Sequence, residues 1–175
     1  TSLVTAQNFR DGNPVSGMVK ALFTRVVPNK PVEIDEADKG LRYQYFEGSW
    51  DQLPDFERLE ESGSGVTPNM DISKRSQDNH FGFVFEGHIL IHEQGVYTFY
   101  TDSDDGSQLF IGGDLVVDND GLHSMTEASG SVALSAGYHP IRVTYFEKNG
   151  GNQLNVYLES VKIRKRIISD NFLFH

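Results

Sequence analysis

Short runs of aromatic and β-branched residues recur along the chain, and clusters of Gly, Asn and Asp separate them. In one run Phe81, Phe83 and Phe85 alternate with smaller or charged residues, so one face of an extended strand is apolar. Runs of this kind, divided by turn residues about every eight to twelve positions, are typical of an all-β sandwich or barrel. The predicted strands are Phe81–Ile91, Val96–Thr101, Gln108–Ile111, Leu115–Asp118, Ser131–Leu134, His139–Phe146 and Leu154–Glu159.

Two glycine-containing turns predict that neighbouring strands are antiparallel. Gly112-Gly113 lies between two apolar runs, and a two-residue hairpin turn needs positive φ at both central positions, which glycine adopts freely. Asn149-Gly150-Gly151 is a second turn between predicted strands. Because no amphipathic helix longer than two turns is evident, we expect an antiparallel β-sandwich or barrel.

The chain divides into three segments of different character. Residues 1–27 have the pattern of strand, turn and strand, which predicts a short N-terminal β-hairpin. Residues 28–40 contain two prolines and an acidic stretch, which indicates a linker, and residues 41–175 form the main β domain. Within that domain residues 54–79 are polar and turn-rich, so we predict a long irregular excursion there.

The net charge of the 175-residue chain is −10, and the chain has no Cys. The acidic excess disfavours nucleic acid as a partner, because phosphate binding requires clustered cations. The lack of Cys excludes disulfides, thiolate metal sites and cysteine nucleophiles. No apolar run is long enough to span a membrane. The basic run Lys162–Arg166 alternates with apolar residues, and we interpret it as an edge strand whose cations prevent edge-to-edge pairing.

The densest group of acidic side chains is the loop Asp102-Ser103-Asp104-Asp105, at the junction of two predicted strands. Carboxylates this close repel one another unless water solvates them or they surround a cation such as Ca²⁺, which takes oxygen ligands. A solvated acidic turn and a cation site are therefore both open. The composition of the tract Asp118–Gly121 predicts an Asx-rich turn. The lesser alternative is that this tract and the adjacent His123 form part of the rim of a ligand-binding site.

Three segments together resemble the PA14 (protective-antigen) domain family, over about residues 40–175: Gly95–Ser107, Leu109–His123 and Ala136–Val143. The resemblance implies a β-sandwich module that is non-catalytic, and several members of the family bind carbohydrate. In the sugar-binding flocculin-type members two consecutive Asp joined by a cis peptide hold Ca²⁺, and that ion coordinates sugar hydroxyls. Asp104-Asp105 matches this pair.

The same resemblance implies the remaining calcium ligands. They come from the turn Glu147–Gly151, with Glu147 standing where the flocculin pattern has Asn, followed by the backbone carbonyls of Asn149 and Gly151. We expect Asp104, Asp105 and the loops around Trp50, Asp120 and His123 to shape the ligand site. Core packing is the alternative role for Trp50, the only Trp of the chain.

The N-terminal segment 3–27 is similar to the closing strands of a small module that follows the catalytic barrel in exported β-N-acetylhexosaminidases. This resemblance implies that residues 1–27 are the end of a preceding module, with an upstream catalytic domain in the same polypeptide and an exported protein. Our first hypothesis is therefore a calcium-assisted carbohydrate-binding module of an exported glycoside hydrolase, with no catalytic residue of its own. A module that packs on the catalytic domain without binding sugar is the second hypothesis, and a hydrolase that uses acidic residues of this chain is the third.

Overall fold

Alternating apolar residues build two antiparallel sheets that face each other across a common core. The computed structural model describes all residues, 1–175. Its only helical segments are three 3₁₀ turns of three residues, Phe56–Arg58, Ile72–Lys74 and Asp170–Phe172, and none is long or apolar enough to cross a membrane. The strands are β1 Ser2–Ala6, β2 Phe9–Arg10, β3 Asn13–Pro14, β4 Val19–Phe23, β5 Leu41–Glu47, β6 Gly63–Thr67, β7 Phe81–Ile91, β8 Gly95–Asp104, β9 Ser107–Ile111, β10 Asp114–Asn119, β11 Thr126–Leu134, β12 Gly137–Glu147, β13 Gln153–Ser160, β14 Arg166–Ile167 and β15 Leu173–Phe174.

The larger sheet has seven strands, in the order β10-β9-β12-β7-β5-β6, with β15 paired to β7. The smaller sheet has the order β11-β8-β13-β14. The predicted hairpin at Gly112-Gly113 joins β9 to β10 with φ of 62° and 91°, so both glycines adopt the positive φ that the turn requires. The all-β antiparallel sandwich expected from the sequence is confirmed.

The core lies between the sheets and is rich in aromatic residues. Phe81, Phe83 and Phe85 of β7 are fully buried, as their alternation predicts, and they face residues of the smaller sheet such as Phe99 and Leu158. The rings of Phe83 and Phe85 stack with centroids 5.3 Å apart. Burying aromatic side chains of this size supplies a large hydrophobic contribution to stability.

A second, smaller apolar cluster lies on the outer face of the seven-stranded sheet. Phe46 and Val84 point outward from β5 and β7, and Phe56 packs on them from the segment that follows β5. Trp50 and Leu53 of the same segment pack against this cluster. The segment 48–59 is therefore folded over one end of the sheet.

The N-terminal hairpin and the predicted linker have different surroundings. Strands β1 and β4 pair over five residues, and the hairpin exposes large apolar side chains. Isolated backbone bridges join Asn29 to Leu134 and Lys39 to Phe174, so residues 28–40 follow the surface of the sandwich. The exposed large apolar side chains of the hairpin region are Leu3, Val4, Phe9, Val15, Met18, Val19, Leu22, Phe23, Val26 and Val27.

Two local predictions from the sequence are wrong. The excursion 54–79 contains the edge strand β6, whose Gly65 allows the Tyr43 ring of β5 to lie across it, because an added Cβ would be 3.1 Å from that ring. The basic run Lys162–Arg166 is mostly a loop rather than a strand. Ser160 and Ile163 exchange backbone hydrogen bonds of 2.8 and 3.2 Å and close a turn, so pairing resumes only at β14.

Candidate metal centre

The acidic loop lies where β8 ends and β9 begins. Asp104 is the last residue of β8, the peptide bond between Asp104 and Asp105 is cis, and Gly106 leads into β9. An added Cβ at Gly106 would lie 2.5 Å from the Phe146 ring and 2.8 Å from the backbone nitrogen of Gly121. Only glycine fits there, and the loop can therefore lie directly against β12 and against the β10–β11 loop.

A buried polar layer supports the loop from below. The hydroxyls of Ser103 and Ser107 are 2.7 Å apart, and both residues are fully buried. The amide of Asn119 donates to Ser103 Oγ at 3.1 Å and to the carbonyl oxygen of Thr126 at 2.9 Å. These bonds satisfy buried polar groups and connect the ends of β8, β9, β10 and β11.

Asp105 is held from two directions by backbone groups. Its Oδ1 accepts a hydrogen bond from the backbone nitrogen of His123 at 3.0 Å, and its Oδ2 accepts one from that of Lys148 at 3.1 Å. Its own backbone nitrogen donates to Glu147 Oε2 at 3.1 Å. Asp105 therefore connects the β10–β11 loop to the β12–β13 turn, and its carboxylate is fixed in orientation.

Glu147 ends β12 and is fully buried. Its Oε2 accepts the bond from Asp105 and lies 3.4 Å from the Tyr145 hydroxyl, whereas its Oε1 has no hydrogen-bond partner. Burial, followed by the charges of Asp105 and Asp104, raises the pKa of Glu147 to about 7. A buried carboxylate oxygen without a partner is costly, and a cation in contact with it would remove that cost.

Asp104 is the most accessible acid of the group. Burial, followed by the charge of Asp105, raises the pKa of Asp104 above its usual range. The Tyr145 hydroxyl donates to the carbonyl oxygen of Asp104 at 2.5 Å. On its other side Asp104 lies beside the β12–β13 turn, because an added Cβ at Gly151 would be 2.9 Å from Asp104 Oδ2.

Asp104, Asp105 and Glu147 thus form one cluster, in which a carboxylate oxygen of each lies within 4.8 Å of those of the other two. Like charges at this separation raise each other's pKa, as the shifts at Asp104 and Glu147 indicate. An all-oxygen donor set with a partnerless buried oxygen fits a hard cation such as Ca²⁺ better than a transition metal. The residues present therefore fit the ion that the sequence predicts.

The other predicted ligands lie in the turn after Glu147. Gly151 is adjacent to Asp104, as its distance to the carboxylate requires. Asn149 is exposed in the same turn, and the backbone nitrogen of its neighbour Gly150 donates a hydrogen bond of 3.3 Å to Asn79 Oδ1.

Two residues predicted to line the ligand site act mainly through backbone contacts. Asp120 Oδ1 accepts bonds of 2.7 Å from the backbone nitrogens of Leu53 and Gly121. The two ring nitrogens of His123 lie 3.0 and 3.1 Å from the carbonyl oxygens of Asn119 and Ser124. The backbone nitrogen of His123, rather than its ring, contacts the acidic pair.

Trp50 packs against the small apolar cluster of Phe46, Phe56 and Val84. Its ring meets that of Phe56 edge-on with centroids 6.1 Å apart, and it lies across Gly48, where an added Cβ would be 2.3 Å from the indole. The structure therefore places Trp50 in packing on the outer face of the sheet. Its neighbour Asp51 accepts a hydrogen bond of 2.5 Å from Lys148 Nζ and brings this segment beside the β12–β13 turn.

Two residues of the site were not predicted from the sequence. Tyr145 lies two positions before Glu147 on the same face of β12, and burial raises its pKa, so its hydroxyl stays a donor. The alternation along β12 is the signal that could have identified it. The backbone nitrogen of Lys148 donates a hydrogen bond to Asp105, and a backbone contact of this kind cannot be predicted from the pattern of side chains in the sequence.

Comparisons with known proteins agree with this architecture. A family model described as PA14 domain matches residues 41–171. Among solved structures, an anti-sigma factor domain-containing protein from Clostridium clariflavum is similar at 22% identity and TM-score 0.67, over 78% of this chain and 47% of that one, so this chain spans about half of that protein's length. A PA14 sugar-binding domain from an RTX adhesin is similar at 17% identity and TM-score 0.65, over 78% of this chain and 98% of that one.

A third similar structure is the Epithelial Adhesin 6 A domain from Candida glabrata, determined in complex with Galβ1-3GlcNAc. It has 14% identity and TM-score 0.61, over 81% of this chain and 88% of that one. A sequence search of curated proteins finds no match. At these identities the solved structures support the fold, and the family model supports the family.

Proposed function

The chain belongs to the PA14 domain family, and on that premise we propose that it is a non-catalytic, calcium-assisted carbohydrate-binding module. The observation that carries the proposal is the cluster of Asp104, Asp105 and Glu147, in which a fully buried carboxylate oxygen has no partner. Ca²⁺ would be held by these three side chains, and the carbonyl oxygens of Asn149 and Gly151 would complete the set.

The electrostatics of the cluster favour a cation. Burial, followed by the charges of the neighbouring carboxylates, raises the pKa of both Asp104 and Glu147, so the ion-free cluster is destabilised when its groups are ionised. A bound calcium ion converts this repulsion into attraction and gives Glu147 Oε1 a partner.

The sugar part of the proposal is supported by the similar structures. One is a PA14 sugar-binding domain from an RTX adhesin, and another is an adhesin domain in complex with Galβ1-3GlcNAc. Asp104 is the least buried of the three acids, so the cluster is open to a ligand on its side. When bound, Ca²⁺ supplies direct coordination of sugar hydroxyls, and this chain supplies the loops of Asp120 and His123 beside the acidic pair.

We also propose that the module belongs to an exported glycoside hydrolase of the β-N-acetylhexosaminidase type, with the catalytic residues upstream. The support is the resemblance of residues 3–27 to the end of a small module, together with their exposed apolar side chains. The same observation favours the second candidate function, a module that packs on its neighbouring domain without binding sugar. An apolar surface of this kind is typical of a contact between domains.

Calorimetric titration of Ca²⁺ into chelator-treated protein tests the metal site. We expect saturable binding that Asp104→Asn weakens at least tenfold, because the variant removes one anionic ligand. Asp114→Asn is the matched control, since Asp114 is exposed at the Gly112-Gly113 hairpin, away from the cluster. This variant should bind calcium with the same affinity as the original chain. Sugars are then titrated at saturating calcium, and absence of calcium binding would favour the packing module.

A further inference from the structure

The outer face of the seven-stranded sheet carries a groove that the calcium site does not use. Three adjoining hollows of about 470, 330 and 250 Å³ meet at Arg142. Two of them share Phe110 and two share Glu86. The smallest of the three also reaches Asp120, at the edge of the acidic cluster. We call this continuous depression the sheet groove.

The register of the strands explains how the floor of the sheet groove forms. Arg142 on β12 pairs with Phe110 on β9 and with Glu86 on β7, and Thr144 pairs with Gln108 on β9. Side chains at paired positions share a face. The alternate residues of β12, such as Val143 and Tyr145, point into the core, so this set points outward.

One wall of the sheet groove is the segment 53–57, which the small apolar cluster holds on the sheet. Glu57 of this wall lies 3.8 Å from the Arg142 guanidinium, and Glu86 of the floor lies 3.2 Å from it on Nε. The guanidinium therefore lies between two carboxylates, and its buried Nε has no well-aligned hydrogen-bond partner.

The chemistry of the sheet groove suits a sugar ring. Arg142, Gln108 and Glu86 present planar groups that donate or accept hydrogen bonds, which hydroxyls require. Phe110 adds a half-buried aromatic ring, onto which the C–H face of a sugar can pack. The hydroxyl of Thr144 is buried in the floor without a hydrogen-bond partner.

One end of the sheet groove, at Asp120, lies beside the loop that packs on Gly106 of the acidic loop. Asp120 bonds to the backbone nitrogens of Gly121 and Leu53, and so it joins the β10–β11 loop to the groove wall. Arg142 is five residues from Glu147 along β12, which corresponds to about 17 Å of extended strand, and Glu147 lies on the same core-facing side of that strand as Val143 and Tyr145. A linear ligand therefore reaches the groove from the cluster by passing the loop of Asp120 at the end of the sheet.

We propose that the sheet groove is an extension of the binding site for a neutral oligosaccharide, whose terminal unit is held at the acidic cluster. This inference rests on the proposed function of that cluster. The neutral class follows from the charges, because the groove is lined by five acids and by one cation, Arg142, which lies beside two of them; the acids are Asp55, Glu57, Glu61, Glu86 and Asp120. Sulfated chains and chains that contain uronic acids are repelled.

The test uses the full chain at saturating calcium. The probes are neutral β-linked oligosaccharides of galactose and N-acetylglucosamine, from one to six sugar units, together with their sulfated counterparts. We expect affinity to increase about tenfold between one and four units and then to level off, and we expect the sulfated chains to bind more weakly than the neutral ones.

Phe110→Ala and Arg142→Ala should each reduce the gain with chain length to less than threefold. Arg164→Ala is the matched control, because Arg164 lies in the loop before β14 in the other sheet. Binding of the single sugar unit reports that each variant is folded. Single-unit binding with no gain for longer chains, or equal binding of sulfated chains, would overturn the groove proposal alone, whereas no binding at any length would overturn the proposed function as well.

Discussion

Replacing Glu147 by Gln tests two things: how far the buried carboxylate destabilises the metal-free protein, and how far stabilisation by calcium depends on it. In the metal-free protein the pKa of Glu147 rises from an ordinary 4.5 to about 7. At about 1.4 kcal/mol for each factor of ten in proton affinity, ionised Glu147 destabilises the folded state by about 3 kcal/mol above pH 7. Gln has the same shape without the charge and can accept the bond from Asp105. We therefore expect Glu147→Gln to raise the free energy of unfolding by up to about 3 kcal/mol at pH 8.

The pH dependence of this effect has a definite sign. Between pH 4.5 and about 7 the folded protein binds more protons at Glu147 than the unfolded chain does. The free energy of unfolding of the metal-free protein therefore decreases as the pH rises through that window. The benefit of Glu147→Gln is complete above pH 7 and disappears as the pH falls through 4.5.

Calcium should reverse the order of the two proteins. It binds the ionised carboxylate, and at 1,000 times its dissociation constant a ligand stabilises the folded state by about 4.1 kcal/mol, which exceeds the roughly 3 kcal/mol that ionised Glu147 costs. The assay is urea unfolding of chelator-treated protein at pH 5 and pH 8, with and without calcium, and Glu60→Gln is the matched control because Glu60 is exposed. The reasoning is wrong if Glu147→Gln is no more stable than the original chain at pH 8 without calcium, or if calcium stabilises both equally.

Three further substitutions test the packing of the site and of the fold. Gly151→Ala places a Cβ 2.9 Å from Asp104 Oδ2, so calorimetry should show calcium affinity lowered several-fold with metal-free stability unchanged. Gly130→Ala places a Cβ 1.7 Å from the carbonyl oxygen of Val116, where only backbone movement relieves the clash, and urea unfolding should show a loss of about 3 kcal/mol. Phe85→Ala empties a fully buried core position and should cost about 3–5 kcal/mol in the same assay, and unchanged stability would contradict the buried position.

The strands that sequence patterns predict best are those with one face in the core. The run Phe81–Ile91 has strong alternation because every second residue from Phe81 onward faces the core between the sheets, and it is confirmed as β7 over the same residues. Edge strand β6 escaped prediction, since its residues Gly63–Thr67 are mostly small and exposed and pair on one side only. The run Lys162–Arg166 was predicted as a strand for the opposite reason. Its residues alternate between basic and apolar, but most of them pair with no neighbouring strand, because a turn interrupts the run.

Only part of the candidate site can be predicted from local sequence patterns. The density of acids identifies Asp104 and Asp105 directly, but Glu147 is 42 residues from Asp105 and joins it only through the fold. The family resemblance supplied that link. The pairing of β8 with β13 and of β9 with β12 brings the two loops together, and that pairing is long-range information.

The hydrogen bonds of the three acids indicate that they have unequal roles. Asp105 receives two backbone N–H groups, one at each oxygen, so both of its oxygens hold neighbouring loops. Glu147 and Asp104 have raised pKa values, and Glu147 Oε1 has no donor, so these two residues have the greater electrostatic need for a cation. Asp105 therefore positions the site as well as binding the ion, and the metal-free stability of the protein should depend on Asp105 in a way that it does not depend on Asp104. The same three acids therefore connect the loops at this end of the sandwich and form a candidate cation site. A cation bound there would connect the same loops.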